Sequence, residues 1–360
     1  MRHQSHALLL LCLGIFICRS AIGSCDEPAE TAEELSPALQ VKNIRRAYYD
    51  GNHNAFTDLC RFKDRYYLTF RSCPDGHMVH PTSSIVVLTS TDAKTWQKVN
   101  QFSVPRRDVR DPHFLEFRGR LFIYTGTWYC GDASPKTRDL NQHLGFCSFS
   151  DDGRNWSEPT MLEGTYGHYI WRAAQSSDKA FLCGRRKHRF SDESGSNREI
   201  IESAMLESDD GLVWKTRSLF QESWGDETAF LVEDDGSILA VARRGSTPAE
   251  ICRSSPPYAE WRRQPLDRYI GGPMLAKWGN RYIVGGRNNT SEGPRTVLCL
   301  LSGENTLNTI AELPSDGDNS YTGFVALDEQ NALLSWYSSH EQDSAGKTIT
   351  AIYLADLQLE

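Results

Sequence analysis

The sequence predicts an all-β protein: a six-bladed β-propeller of four-stranded antiparallel blades. Three observations predict it. A turn motif recurs, as S-D-D-G-R-N-W at Ser150–Trp156, S-D-D-G-L-V-W at Ser208–Trp214 and, without its glycine, S-T-D-A-K-T-W at Ser90–Trp96, with a weaker echo, S-P-P-Y-A-E-W, at Ser255–Trp261. The copies stand about 50 to 60 residues apart, the spacing of a radially repeated unit. No stretch from 41 to 360 carries a helical period; short runs rich in Val, Ile, Tyr, Phe and Trp alternate with D-D-G, K-D-R, R-G-R and W-G-N turns. Those runs fall into six hairpins, one for each blade.

The N-terminus reads as an export signal over residues 1–24. Arg2 and His3 precede an apolar run, Ala7–Cys18, too short to span a bilayer as a mature helix. The I-G-S-C ending at Cys25 has the form of a bacterial lipobox, which would carry a diacylglycerol; ordinary cleavage after Gly23 or Ser24 is the alternative. Residues 25–40, acidic and helix-prone, read as a tether, leaving 41–360 for the propeller. The expected location is therefore extracytoplasmic: periplasmic, secreted or a lipoprotein of the outer membrane. Membrane contact is expected only through Cys25, and the chain is expected to act as a monomer.

The strand at 42–48 is positioned to complete the last blade and close the ring. The first hairpin, N-A-F-T-D-L-C-R-F, turns at Lys63–Asp64 into R-Y-Y-L-T-F-R. The next two turn at Gly119 and at Ser177–Asp178, and the last three at Gly236, at Gly279 and near Asn331. In the recurring motif, Ser and Asp side chains bond local backbone N–H groups, Gly supplies a positive φ, and the closing Trp can pack under the next strand. These turns read as staples with no part in chemistry.

Lys and Arg number 39 against 47 Asp and Glu, a net charge of −8, which argues against nucleic acid as a partner. Without the signal and Cys25, the body keeps Cys60, Cys73, Cys130, Cys147, Cys183, Cys252 and Cys299. An odd number without close C-x-x-C spacing argues against a zinc site and against a full disulfide framework. Most read as small buried hydrophobes, with Cys130–Cys147 as the one candidate bridge.

Register says which residues meet. The first strand of each propeller blade lines the central channel, so positions equally far from each first turn face one opening. Counting back from the turns gives Arg110, Glu227 and, one residue further, Tyr321; counting forward gives Arg71, Arg185, Arg243 and Arg287. Like charges converging on one mouth repel unless something anionic lies among them, and arginine's planar fork suits a carboxylate or sulfate. An anionic ligand is therefore expected, a ring of structural ion pairs being the competing reading.

Together these motifs resemble the sialidase (neuraminidase) superfamily, six-bladed propellers with S-x-D-x-G-x-x-W repeats, and the resemblance covers 41–360. The stretch E-T-A-F-L-V-E-D-D-G-S-I-L-A-V-A-R, Glu227 to Arg243, is similar to the segment in which that family places a glutamate and an arginine in its site. The resemblance implies Tyr321, in S-Y-T-G-F-V-A-L, as nucleophile and Glu227 as its base. It implies Arg295, with Arg287 as rival, as a carboxylate-binding arginine beside Arg243. A tyrosine serves where a carboxylate nucleophile would be repelled by the sugar's own carboxylate.

Two departures stand out. Asn54-Ala55-Phe56 occupies the place of the family's first arginine, for which Arg71 or Arg110 would substitute. The loop S-C-P-D-G-H-M-V-H-P, where the family keeps its acid/base aspartate, offers Asp75 and His77. Asp58 is a further mouth candidate, and Trp171–Arg172 could stack on and pair with a sugar. The expected activity is exo-hydrolysis of terminal acidic, sialic-acid-like sugars with retention, requiring no cofactor and no metal. A non-catalytic glycan- or protein-binding propeller, and a hydrolase or lyase of another sugar, are the alternatives.

Overall fold

The structure, a computed structural model, describes residues 38–135, 138–193 and 197–360. The export signal, the lipobox at Cys25 and all of the tether before residue 38 lie outside them. Six four-stranded antiparallel sheets form the blades of a propeller. Their inner strands are His53–Phe62, Arg107–Phe117, Tyr169–Gln175, Thr228–Val232, Gly271–Trp278 and Asn319–Ala326, and each contacts the inner strands of its neighbours around the ring. All six hairpins expected from the sequence are present. Blade 6 is completed by Leu39–Tyr48, which pairs antiparallel with Thr348–Leu359, beginning with Leu39 opposite Leu359. That strand starts before 42, because Leu39 and Gln40 already take ladder positions.

Position within a blade explains composition. Ser84–Ser90 (S-I-V-V-L-T-S) lies between two strands and two neighbouring sheets, so its run is apolar and almost wholly buried. Lys215–Gln221 (K-T-R-S-L-F-Q) is the outer edge of blade 3 and buries only its last residues. Trp171, Trp278 and Trp336 are the largest fully buried side chains; emptying one such position costs about 3–5 kcal/mol.

The recurring turns join the third and fourth strands. In the copy at Ser150, Asp152 Oδ1 accepts the N–H groups of Arg154 and Asn155, both at 2.8 Å, and Ser150 Oγ accepts that of Gly153 at 2.8 Å. The copies at Ser90 and Ser208 use Asp92 and Asp210 in the same way. The tryptophans pack backwards onto the preceding blade, not forwards: Trp156 lies 6.4 Å edge-on from Tyr67, and Trp214 5.6 Å from Tyr124. A Cβ at Gly153 would fall 1.9 Å from Tyr67 Oη, so the glycine is what allows the turn to close on blade 1.

The Cys130–Cys147 bridge does not form. All seven cysteines of the described residues are free; Cys147 is buried among apolar side chains, and the Cys130 thiol donates to Arg106 O at 3.4 Å.

One backbone device shapes the channel. The inner strands of blades 1, 2, 3, 5 and 6 each carry a bulge at the same level, while that of blade 4 runs regularly. Phe56, Asp111, Gly272 and Tyr321 adopt positive φ there. A bulge re-aims the side chain it carries, and those of Phe56, Asp111 and Tyr321 turn toward the end of the channel at which the inner strands begin. The recurring turns lie on the opposite face.

Candidate active site

Glu227 stands just before the unbulged strand of blade 4. Its Oε2 accepts from Arg243 Nη1 at 2.9 Å and from the Gly272 backbone N–H at 3.0 Å, and its Oε1 accepts from the Tyr321 hydroxyl. Gly272 has φ +58°, and a Cβ there would lie 2.7 Å from the Tyr321 ring, so only glycine lets blade 5 present this N–H. Burial is the largest influence on Glu227 and pushes its carboxyl up. The charge of Arg243 and the hydrogen bonds from Tyr321 and Arg243 outweigh it, so the group stays well below the usual carboxylate range. Burial, then the Glu227 charge, raises Tyr321 well above the ordinary phenol value. The proton therefore rests on the tyrosine, and the carboxylate is its acceptor.

Tyr321 has φ +49°, an outlier for an aromatic residue, with strain of about 1–3 kcal/mol. Thr57 Oγ1 donates to its carbonyl at 2.7 Å and Arg172 Nη2 to that of Thr322 at 2.7 Å. Phe56, Trp171 and Tyr337 surround its ring, with centroids 4.9, 5.8 and 5.9 Å away.

Asp111 is the second buried carboxyl at this level. One oxygen accepts from the Tyr169 hydroxyl and the other has no partner. Burial raises its pKa to about 6, Arg110 opposing the rise and Glu227 adding to it. A carboxyl of this kind keeps a protonated fraction near neutrality and can donate that proton.

Each arginine picked out by the register is matched by a carboxylate. Asp226 holds Arg185 at 2.8 Å, Arg198 at 3.0 Å and Arg243 at 3.5 Å. Asp108 holds Arg71 at 2.9 Å and Arg110 at 3.3 Å. Arg287 lies 3.3 Å from Asp318 and donates to Asn319 O at 3.0 Å and to Tyr337 Oη at 3.1 Å. The phased arginines thus form a ring of ion pairs, the reading the sequence had ranked second. Their partners come from residues at or just before the inner strands, which the arginine register did not sample.

Of the residues expected at the site, Tyr321, Glu227, Arg110, Arg243 and Arg287 gather at this mouth. Arg71 does not reach it: the side chain is 0% exposed and its guanidinium is used by Asp108 and by the carbonyls of Gly76 and Met78. Arg295 pairs with Asp316 at 3.2 Å and Glu312 at 3.7 Å on blade 5, so Arg287 is the arginine near Tyr321. Asp75 accepts from Thr82 Oγ1 at 2.6 Å within its own loop. His77 faces Phe56 and bonds Asp318 at 2.7 Å.

Asp58, Trp171 and Arg172 lie below Tyr321, inside the channel. Trp171 is fully buried, and Asp58 pairs with Arg172 at 2.8 Å. That pair, with His113, bounds a cavity of about 320 Å³ that the last residues of the inner strands also line. They form the floor of the site: Asp58 follows the bulge of blade 1, and Trp171 and Arg172 are the bulge residues of blade 3.

Sequence reasoning missed Asp111, Tyr169, Asp226, His53, Asp318 and Tyr337. For Asp111 a signal existed. It follows Arg110 in R-D-P, and the bulge turns this neighbour into the channel where the counted register had placed Arg110.

No family model matches the sequence, and no curated protein matches it. Solved structures do. A protein of unknown function from Dyadobacter fermentans superposes with a TM-score of 0.73 at 18% identity, over 90% of this chain and 100% of that one. The phage phi92 endosialidase gives 0.63 at 10% identity, over 89% and 69%. The Trypanosoma rangeli sialidase bound to the inhibitor DANA gives 0.60 at 12% identity, over 85% of this chain and 55% of that one. The chain therefore has a sialidase-like propeller fold.

Proposed function

We propose that the protein is a retaining exo-glycosidase acting on terminal acidic sugars of glycans, with Tyr321 as nucleophile, Glu227 as its base and Asp111 as acid/base. The observation that carries the reading is the Tyr321–Glu227 hydrogen bond at the channel mouth. Supporting it, the carboxylate is held by Arg243 and a backbone N–H, which fixes its geometry before substrate arrives.

As positive charge develops at the anomeric carbon, Tyr321 gives its proton to Glu227 and its oxygen bonds that carbon. The glycosidic C–O bond breaks, and the leaving oxygen takes the proton of Asp111. Water then attacks the same carbon while the Asp111 carboxylate takes a water proton. The Tyr321 oxygen leaves and recovers its proton from Glu227. The two displacements together retain the anomeric configuration. No cofactor is needed. Export past the cytoplasmic membrane, with or without a lipid on Cys25, is the matching location.

The ion-pair ring favours a second reading, a neutral terminal sugar, since the mouth arginines are already neutralised. Turnover of paired sialosides and neutral glycosides by wild type, Tyr321→Phe and Glu227→Gln decides both questions. Loss of about 100- to 10,000-fold in each variant is expected, with a 2-fluorosugar trapped on Tyr321 by mass spectrometry. Turnover surviving Tyr321→Phe would sink the mechanism. No turnover of any glycoside, with binding equal in all three proteins, would make the chain a binding propeller.

A further inference from the structure

On the rim beside Phe56 the structure brings together two imidazoles and a carboxylate that the proposed hydrolysis does not use. His53 Nε2 lies 2.9 Å and His77 Nδ1 2.7 Å from the same oxygen, Oδ2 of Asp318. The three atoms all lie within 4.8 Å of one another. They come from three segments: the start of the inner strand of blade 1, the loop after its second strand, and the approach to the inner strand of blade 6.

We propose that His53, His77 and Asp318 bind a divalent ion of the borderline class, of which Zn²⁺ is the representative. Two imidazoles and one carboxylate suit zinc and its first-row neighbours, whereas calcium and magnesium take oxygen ligands. The geometry is close. Bonds of about 2.0–2.2 Å at tetrahedral or octahedral angles set ligand atoms about 3.0–3.5 Å apart, so each ring nitrogen needs to part from the carboxylate oxygen by a few tenths of an ångström, and the two nitrogens, already within 4.8 Å, to meet at the same spacing.

The surroundings act as an outer shell. Tyr337 donates to Asp318 Oδ1 at 2.8 Å and Arg287 lies 3.3 Å from the same atom, which leaves Oδ2 turned to the histidines. The loop is fixed more firmly than its exposure suggests. Although the His77 side chain is 48% exposed, Arg71 holds the carbonyls of Gly76 and Met78 at 3.0 and 2.9 Å, and Arg110 holds that of His77 itself. Two buried guanidinium groups clamping three successive carbonyls is an expensive way to place one surface histidine, unless its ring position matters. The half-exposed His77 and partly exposed Asp318 leave the remaining coordination positions open to the mouth, beside Phe56 and Tyr337, which both contact Tyr321. Water or an oxygen of a bound ligand would complete the shell.

The site does not depend on the glycosidase reading, so its test is binding, not turnover. Full-length protein stripped with chelator is titrated with ZnCl₂ by calorimetry, and zinc retained after dialysis is measured by elemental analysis. Tm is recorded with and without the metal. One equivalent is expected, with zinc raising Tm by mass action. His77→Gln and Asp318→Asn should each weaken binding at least about tenfold, and His188→Gln, at a His–Glu pair elsewhere, should not. His77→Gln carries the decision if Asp318→Asn fails to fold, since that side chain supports no core packing. Less than one equivalent bound to wild type, or equal affinity in wild type and His77→Gln, would show a hydrogen-bonded triad only and overturn the proposal.

Discussion

The two faces of the ring use the same side chains to opposite ends. On the turn face, Asp92 is exposed, and backbone N–H groups with the Ser90 hydroxyl lower its pKa to about 2. On the channel side, Asp111 is buried with one oxygen unpartnered, and burial raises it to about 6. The first carboxylate is satisfied within its own turn, Ser90 to Thr95. The second is held by the rest of the molecule in a state it would not choose in water. A local sequence motif can specify the former, and only tertiary structure can specify the latter.

That contrast can be broken from the channel side first. Arg243→Ala takes the guanidinium from buried Glu227, which keeps only the Tyr321 hydroxyl and the Gly272 N–H, and one of three arginines from Asp226, and is expected to lower stability by about 3–5 kcal/mol in denaturant melts. Equal midpoints in wild type and variant would mean that solvent, not Arg243, neutralises the pair. Next comes Gly272→Ala. The new Cβ meets the Tyr321 ring and takes a left-handed φ, so a loss of about 1–3 kcal/mol is expected, together with most of the turnover.

Asp111→Asn should act with the opposite sign. Its folded pKa is raised from 3.8 to about 6, so native Asp111 favours the fold below pH 3.8 and loses that contribution as pH rises through 6. The amide is therefore expected to stabilise the protein at pH 7.5 by about 2–3 kcal/mol and to make no difference near pH 3.5. A variant less stable than wild type at pH 7.5 would show that the carboxylate is ionised and useful to folding. The smallest effect belongs to the turn face. Asp92→Asn should leave turnover unchanged and cost Tm at pH 7. Because the folded pKa is depressed, that cost should fade as pH falls from 3.8 towards 2; a Tm difference that persists below pH 2 would refute this.

The same contrast explains what was legible in the sequence. The turns, hairpins and blade count are local and repeated, so each copy supports the others. Tyr321 and Glu227 could be matched across blades because strand register counts residues faithfully up to a bulge. At a bulge the count slips by one, which hid Asp111 behind Arg110, and residue type alone did not show that Asp58, Trp171 and Arg172 lie beneath the mouth. Arg71 ends its strand in phase with the other arginines, yet the following loop folds over it and takes its fork. Nothing in the spacing of Asp108, Asp226 and Asp318 shows which arginine each would meet.

Blade 6 differs from the others in having strands from the two distant parts of the chain; Lys42 and Gln358, hydrogen-bonded across its seam, are 316 positions apart. Loop closure over such a separation is slow and entropically costly. The other blades are contiguous and can form while the chain is still open. Tyr321 belongs to the seam blade and Glu227 to blade 4, so their hydrogen bond needs the completed circle. In refolding, tryptophan burial should therefore precede the return of turnover, and simultaneous recovery would show that the ring assembles in a single step. Activity would then serve as a clock for closure of the circle.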